Sequence, residues 1–170
     1  LHSELVACIN AMRINSIILT PTVAKLFGPG DVPNLRTLIL GGEAMTTDIV
    51  KSWAPHVTLL NVYGPTETSM VVTTKRMTSN TDPRNIGRPL ETVGFVLLDL
   101  NSDRIAPVGC IGELGIFGPQ LADGYIGDHE KTRRSFIVIG GERIYRTGDI
   151  VRYDESEDLI FLGRKDTQVK

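Results

Sequence analysis

The first sixty residues carry three short runs of apolar side chains, spaced about twenty residues apart. The runs are unbroken rather than alternating with polar residues, which is typical of strands buried on both faces of a sheet. They occupy residues 16–20, 36–40 and 57–61. Segments with helical patterns precede and separate them, at residues 3–12, 22–27 and 46–53. This alternation predicts right-handed βαβ crossovers on a parallel sheet.

Two of the predicted helices have an apolar stripe. Residues 46–53 start at cap-forming threonines and end before Pro55, and the residues they place on one face are Ile49, Val50 and Trp53. In residues 3–12 the apolar side chains follow the i, i+3, i+4, i+7 spacing of an amphipathic helix, and they are Leu5, Cys8, Ile9 and Met12. We expect both stripes to face the core.

The pattern changes after about residue 70, where helical periodicity disappears. Short strand-like runs then alternate with clusters of Gly, Pro, Asn and Asp, and they occupy residues 70–76, 93–99, 111–117, 143–153 and 159–162. A small barrel or a folded sheet would accommodate such strands. The second half is therefore predicted to be β-rich.

The predicted fold class is α/β, with a portion of a parallel βαβ sheet followed by a β-rich, barrel-like subdomain. Residues 1–77 are assigned to the α/β part and residues 78–163 to the β-rich part, because the polar stretch 78–84 is the best boundary. The chain opens at Leu1 rather than Met and ends at Lys170 just after polar residues. We therefore expect a piece that is truncated at both ends.

Composition excludes several classes of partner. With 41% apolar and 22% charged residues, the chain has the composition of a globular domain. Lys and Arg number 18 against 20 Asp and Glu, and no basic run is longer than a pair, so nucleic acid is not an expected partner. No apolar stretch approaches the roughly 20 residues that cross a bilayer, so no membrane contact is expected. The two cysteines, Cys8 and Cys110, lack metal-ligand spacing, which favours a reducing, cytoplasmic location.

The loop after the third apolar run combines unusual residues within five positions. Tyr63 offers a flat face for a planar heterocycle, and Gly64 with Pro65 reverses the chain. Thr66 can donate a hydrogen bond to a phosphate, and Glu67 is a hard oxygen ligand of the kind that Mg²⁺ prefers. The same residues would also suit a tight turn with a packed tyrosine and a solvated glutamate, and both readings stay open on the residues alone.

The glycine pair after the second run marks another candidate site. Gly41 and Gly42 lie between a buried strand and a helix start, where glycine lets a ligand approach the backbone near a helix N-terminus. A glycine pair is also an ordinary turn between a strand and a helix. Taken alone, this feature is compatible with either interpretation.

Four motifs occur in the order known from one family. They are Asn61-Val-Tyr-Gly-Pro-Thr-Glu67, the run from Gly112 to Tyr125, Tyr145-Arg-Thr-Gly-Asp149, and the run from Gly163 to Lys170. The first resembles the adenylate-forming signature of the adenylation domains of nonribosomal peptide synthetases. Because the four matches extend over most of the chain, the chain is identified as a member of the adenylate-forming superfamily.

The resemblance implies an ATP site with a Mg²⁺ ion. It implies that Tyr63 stacks on adenine, while the Asn61 side chain and the backbone around Gly42 contact the edge of the base. It makes Thr66 and Glu67 the catalytic residues, with Thr66 contacting the phosphate and Glu67 binding the Mg²⁺ ion.

The same resemblance assigns the sugar and the hinge. Asp149 would accept hydrogen bonds from both ribose hydroxyls, and the planar guanidinium of Arg164 would face the nucleotide. Asp166 matches the hinge about which a small C-terminal subdomain swings, so residues 164–170 would form the hinge segment. Read without the resemblance, Asp149 could be a turn residue, Arg164 a surface arginine and Asp166 a loop residue.

The acyl pocket follows from the same comparison of motifs. Its matched positions are apolar or small, and they are Ile18, Ile39, Gly41, Val62, Met70 and Val71. They favour an amino acid with an uncharged, apolar side chain. Ile18 and Ile39 also lie in apolar runs, so core packing is an equal alternative for them.

The implied reaction forms an aminoacyl-adenylate and pyrophosphate from ATP and an amino acid. The acyl group then passes to the phosphopantetheine thiol of a carrier domain, with carrier and condensation domains as partners. The sequence contains no Gly-Lys phosphate loop, and the subdomain that bears the catalytic lysine is missing, so the chain alone is expected to be inactive and poorly soluble. Two alternatives stay open: an acyl-CoA or aryl-acid ligase of the same superfamily, and a non-catalytic βαβ interaction module.

Overall fold

The computed structural model describes residues 2–165, and the predicted hinge residue Asp166 lies outside them. The described residues form two compact units. The first unit contains residues 2–62 and 74–86, and the second contains residues 63–73 and 87–165. The predicted subdomain ranges are 1–77, 78–163 and 164–170. They divide the chain by sequence pattern and motif resemblance rather than by compactness, and they stay a prediction.

The first unit is built on a parallel sheet, as the three apolar runs predict. Its strands are β1 (Ser16–Leu19), β2 (Thr37–Gly41) and β3 (Thr58–Tyr63). β2 pairs in parallel with both of the others, so that Ile18 lies opposite Ile39. The next strands along the chain are β4 (Thr73–Met77), which adjoins β3, and β5 (Asn85–Pro89), whose residues 87–89 belong to the second unit. The α/β fold class is thereby confirmed.

Three helices belong to the first unit: α1 (His2–Ala11), α2 (Pro21–Ala24) and α3 (Thr47–Trp53). A 3₁₀ turn at Pro29–Asp31 links α2 to β2. Proline at the first position of α2 and the Thr20 hydroxyl, which accepts from the Val23 N–H at 3.4 Å, explain where α2 begins. Each helix occurs where a helical pattern predicts one.

Burial of the parallel strands differs from the prediction. Along β2 and β3 burial alternates: Leu38, Leu40 and Leu59 are inaccessible to solvent, whereas Ile39 is only partly buried and Ile18 on β1 is 64% exposed. The prediction of strands buried on both faces is therefore wrong for the described residues. An unbroken apolar run places apolar side chains on both faces of a strand. The sequence pattern therefore does not show whether one face of the sheet is covered or both are.

The core of the first unit lies on the buried face. Trp53 at the end of α3 is 2% exposed, and its ring meets Phe27 edge-on, with ring centroids 5.6 Å apart. Ile49 and Val50 join it, as predicted. The stripe of α1 is predicted only in part: Ile9 is buried, but Cys8 and Met12 are exposed. Met12 lies past the end of the helix, where Arg13 adopts a positive φ of 50° and turns the chain.

The second unit is an antiparallel sheet, which confirms the β-rich second half. Its strands are β6 (Gly94–Leu98), β7 (Gly112–Phe117), β8 (Phe136–Ile139), β9 (Glu142–Tyr153) and β10 (Leu159–Arg164). The strand order is β10-β9-β7-β6, and β8 also pairs with β9. The long strand β9 therefore organises this unit.

Helix α4 (His129–Ser135) interrupts the β-rich half, where no helix is predicted. Its N-cap is Asp128, whose carboxylate accepts from the Lys131 N–H at 2.8 Å. None of its residues is buried, so the helix has no apolar stripe that a periodicity search could detect. No helix in residues 2–165 is long and apolar enough to span a membrane.

We predict that Trp53→Ala opens the first unit. Replacing a buried tryptophan by alanine costs about 3–5 kcal/mol, because packing and apolar burial are lost together. Hydrogen exchange of peptides from β2, α3 and β3, measured by mass spectrometry in the full-length protein, should accelerate strongly. The control Met12→Ala, at a side chain that is 69% exposed, should leave exchange unchanged. Equal exchange in the two variants would contradict this core assignment.

Candidate functional site

A tight turn carries the first group of predicted site residues. Any Cβ on Gly64 would lie 2.3 Å from the Met70 carbonyl oxygen, so only glycine fits this close backbone approach. A 3₁₀ turn at Thr66–Thr68 follows, and Ser69 and Met70 have φ values of 63° and 75°. Within this turn Thr66 is exposed, Met70 is 73% exposed, and the side chains that are partly buried are Glu67 and Val71.

A bulge in β9 carries the second group. On β7, Glu113 lies opposite Ile150 and Gly115 lies opposite Arg146, so two steps along β7 correspond to four along β9. The additional residues are in the segment Thr147-Gly148-Asp149, which we call the β9 bulge. Gly148 has a φ of +71°, and a Cβ there would lie 2.9 Å from the Arg164 guanidinium. The bulge therefore requires glycine at its centre and interrupts the pairing of Asp149 with β7, while Asp149 still lies opposite Arg164 on β10.

The Asp149 carboxylate is the meeting point of three motifs. Asp149 is 1% exposed, and the Tyr63 hydroxyl donates to its Oδ2 at 2.5 Å. Arg164 Nη1 donates to Oδ1 at 3.2 Å and to the Thr147 carbonyl at 2.8 Å. Tyr63, Asp149 and Arg164 come from three separate motifs of the sequence, and the second unit brings them into one cluster.

Electrostatics keeps the Tyr63 hydroxyl protonated. Burial raises the pKa of Tyr63 well above its usual value, and the negative charge and the hydrogen bond of Asp149 raise it further. The protonated hydroxyl therefore remains a donor to the carboxylate at neutral pH. The residue is 8% exposed, so its ring packs within the protein in this structure.

Glu67 has its own hydroxyl donor. The Tyr125 hydroxyl donates to Glu67 Oε1 at 2.7 Å, and the Glu67 carbonyl accepts from the Ala122 N–H at 2.8 Å. Burial, followed by the bond to Glu67, raises the pKa of Tyr125. Residues 2–165 contain no cluster of three His, Cys, Asp or Glu side chains that could hold a metal by themselves. One partly buried carboxylate suits Mg²⁺, which commonly binds through one or two carboxylates together with phosphates and water.

The first unit contains the other predicted nucleotide contacts. Asn61 is 5% exposed, and its Nδ2 donates to the Asn85 carbonyl at 2.9 Å. Gly42 has a φ of +80°, and a Cβ at this exposed position would meet nothing within 4 Å. Next to it, Glu43 accepts from both the N–H and the hydroxyl of Thr22, at 2.9 and 2.6 Å, and these bonds lower the pKa of Glu43.

Four of the predicted pocket residues share one face of the parallel sheet. Ile18 lies opposite Ile39 in register, and Gly41 lies opposite Val62. All four are exposed or only partly buried, and they face away from the buried Leu38 and Leu40. The remaining two, Met70 and Val71, belong to the second unit. A groove of about 510 Å³ elsewhere in the first unit is lined by none of these residues, and Arg36, Lys51 and His56 line it instead.

Two residues of the site are absent from the sequence-based predictions. Thr147 is 4% exposed, its hydroxyl donates to the Leu114 carbonyl at 2.8 Å, and it accepts from the Asp149 N–H at 3.0 Å. Glu113 is 3% exposed and contacts the same bulge. Glu113 lies in the motif that runs from Gly112 to Tyr125, and Thr147 lies in the motif from Tyr145 to Asp149. Membership of these motifs is the sequence signal that could have marked both residues as part of the site.

Comparison with known proteins identifies the family. Residues 2–126 match the sequence model described as AMP-binding enzyme. The chain belongs to this family. It is 49% identical over 173 residues to the nonribosomal peptide synthetase sidE of Aspergillus fumigatus, covering 100% of this chain and 8% of that protein. It is 41% identical over 180 residues to the synthetase atnA of Emericella nidulans, covering 99% of this chain and 2% of that protein.

Solved structures support the same assignment. The chain matches PA1221, an NRPS protein containing adenylation and PCP domains, with a TM-score of 0.86 and 34% identity, over 99% of this chain and 37% of that one. It also matches the Vibrio cholerae adenylation domain AlmE, solved in complex with glycyl-adenosine-5'-phosphate, with a TM-score of 0.84 and 30% identity, over 98% of this chain and 34% of that one. The predicted resemblance to synthetase adenylation domains is confirmed.

We predict that Gly148→Ala disrupts the β9 bulge more than Gly140→Ala disrupts its own turn. Both glycines have positive φ, so both variants lose about 1–2 kcal/mol to backbone strain. Only at Gly148 does the new methyl group also meet the Arg164 guanidinium, since Gly140 has open space around it. Hydrogen exchange in the full-length protein should rise further in peptides covering residues 143–164 of Gly148→Ala than in peptides covering residues 136–145 of Gly140→Ala. Equal exchange would show that the contact with Arg164 does not matter.

Proposed function

We propose that this chain is part of an adenylation domain that activates an amino acid with ATP in nonribosomal peptide synthesis. The observation that supports this most strongly is the cluster of Tyr63, Asp149 and Arg164 around one buried carboxylate. The resemblance assigns all three to the nucleotide, although they are far apart in the chain. Their convergence on one buried carboxylate supports a shared role at the nucleotide.

The proposed sugar contact rests on the Asp149 carboxylate. Each carboxylate oxygen can accept two hydrogen bonds. Tyr63 donates to Oδ2 and Arg164 donates to Oδ1, and the same two oxygens would also accept from the 2′- and 3′-hydroxyls of the ribose. The positive charge of Arg164 balances the negative charge of Asp149. The same guanidinium would also attract the negatively charged phosphates of the nucleotide.

The adenine base would contact three residues, one of which is Tyr63. The Tyr63 ring would stack on adenine, and the Asn61 side chain and the backbone at Gly42 would contact the edge of the base. Open space around the Gly42 Cα supports a close backbone approach there. The Tyr63 ring is 8% exposed, so it cannot stack on a base without moving. This part of the proposal therefore requires a rearrangement that exposes one face of the ring when the nucleotide binds.

The phosphates would lie against the turn that follows Gly64. Thr66 is exposed and can donate its hydroxyl to a phosphate oxygen, and Glu67 would bind the Mg²⁺ ion. When bound, Mg²⁺ neutralises phosphate charge and polarises the phosphoryl group. Tyr125 would keep one Glu67 oxygen fixed, so that the other oxygen points to the ion.

The proposed reaction is an in-line displacement at phosphorus. A carboxylate oxygen of the amino acid attacks the α-phosphorus of ATP, a new P–O bond forms, and the bond to the bridging oxygen of the leaving pyrophosphate breaks. The electron pair of that bond leaves with pyrophosphate, so no acid is needed for charge balance. The residues of this chain contribute by holding the nucleotide in one orientation.

The amino acid would lie against the less buried face of the parallel sheet. Ile18, Ile39, Gly41 and Val62 share that face, and Met70 and Val71 are the two further positions that we propose for the pocket. None of the six carries a charge, which favours an uncharged, apolar side chain on the substrate. The relative AlmE, solved with a glycyl adenylate, supports an amino acid as the substrate class.

A carrier domain is the proposed acceptor. PA1221 contains adenylation and PCP domains, which supports transfer of the acyl group to a phosphopantetheine thiol on such a domain. Condensation domains are proposed as further partners, and Asp166 is proposed as the hinge that changes between the two half-reactions. The cytoplasmic location suggested by Cys8 and Cys110, both free thiols in the structure, is part of the same proposal.

The test is ATP–pyrophosphate exchange by the full-length protein. Asp149→Asn should raise the KM for ATP at least about tenfold, because a hydrogen-bonded charged group is lost. Tyr63→Ala should raise it similarly, and the KM for the amino acid should change little in both variants. The matched control is Asp158→Asn, since Asp158 is a 3% exposed carboxylate of the same unit that pairs with Arg88. An unchanged KM for ATP in Asp149→Asn would favour a structural module.

A further inference from the structure

We propose that Glu113 is a positioning residue for the nucleotide: its carboxylate holds the β9 bulge in the conformation that presents Asp149 to the ribose. The inference rests on the proposed function, because it gives Asp149 the ribose contact described above. Glu113 has no part in that proposed function, since its own contacts are with the bulge and with two cations rather than with Asp149. Its effect on the nucleotide would be indirect.

Glu113 is held from three sides. It lies on β7, is 3% exposed, and its Oε1 accepts from the Gly148 N–H at 3.2 Å. Arg146 donates to it twice, from Nη2 to Oε2 at 2.7 Å and from Nε to Oε1 at 3.3 Å. Lys165 Nζ lies 3.3 Å from Oε2. The carboxylate therefore connects the strand before the bulge, the bulge itself, and the residue that follows β10.

The bulge needs such a partner because it breaks the regular pairing of β9. A buried backbone N–H without an acceptor costs about as much as a lost hydrogen bond. The Glu113 carboxylate accepts from the Gly148 N–H, and the Gly148 carbonyl accepts from the Lys165 N–H at 2.8 Å. Both sides of the Gly148 residue are thus fixed, and Asp149 is the next residue along the chain.

The charge of Glu113 matters as well as its shape. Burial alone would raise the pKa of Glu113, but the hydrogen bonds and charges of Arg146 and Lys165 outweigh burial, so the net pKa is lowered and the group is ionised at neutral pH. A neutral amide would keep the volume and one acceptor oxygen, but it would leave the Arg146 and Lys165 cations with weaker partners. Arg146 also pairs with Asp103, whose side chain is exposed.

The test compares ATP with 2′-deoxy-ATP as substrates of the full-length protein in the exchange assay. If Asp149 binds both ribose hydroxyls, the protein prefers ATP, measured as the ratio of the two kcat/KM values. Glu113→Gln should reduce this preference about tenfold, because a misplaced Asp149 no longer distinguishes the two sugars. A merely structural loss would lower both kcat/KM values by the same factor. The matched control Asp158→Asn should keep the preference of the unmodified protein.

The outcomes separate the two proposals. A preference that Asp149→Asn leaves intact would overturn both the ribose contact and the positioning role. A preference that falls in Asp149→Asn but not in Glu113→Gln, or that falls equally in Asp158→Asn, would overturn the positioning role alone. If Glu113→Gln does not fold, Arg146→Met decides, because Arg146 donates two of the hydrogen bonds that hold the Glu113 carboxylate against the bulge. Its preference should fall about threefold, and an unchanged preference would overturn the role of Glu113.

Discussion

The β9 bulge is the constraint on which the candidate site depends. A regular strand would pair Asp149 with β7 as well as with β10, with its side chain set by the pleat alone. The additional residues of β9 instead require a positive φ at Gly148, acceptors for the displaced N–H groups and a donor for the Gly148 carbonyl. Thr147, Glu113 and the end of β10 supply those partners, so the bulge is specified by residues from three parts of the second unit.

This arrangement explains why the buried polar groups of the site are tolerated. A buried carboxylate is costly unless it is paired and hydrogen-bonded. Asp149 has a hydroxyl donor in Tyr63 and a cation in Arg164, while Glu113 has two cations and a backbone N–H. Both carboxylates are therefore held in place in this structure, although the proposed stacking on Tyr63 requires its buried ring to become accessible to the base.

The sequence predicted the elements better than their burial and better than the contacts between them. Three unbroken apolar runs sufficed for β1, β2 and β3, but they could not show that Ile18 is exposed. Helix α4 has no buried residue, and β5 contains Gly87 and Pro89, so neither carries the pattern that a periodicity search detects. Tyr63 and Asp149 lie 86 positions apart, and motif matching assigned both to one ligand without indicating their direct hydrogen bond. Glu113 was missed because its partners are remote in sequence.

We propose that the β9 bulge presents the Asp149 carboxylate to a nucleotide sugar. The most direct measurement is an experimental structure of the full-length protein with bound AMP. We expect the two carboxylate oxygens of Asp149 to lie within hydrogen-bonding distance of the 2′- and 3′-hydroxyls, with the Gly148 N–H still bonded to Glu113. A nucleotide bound with its ribose away from Asp149 would contradict it.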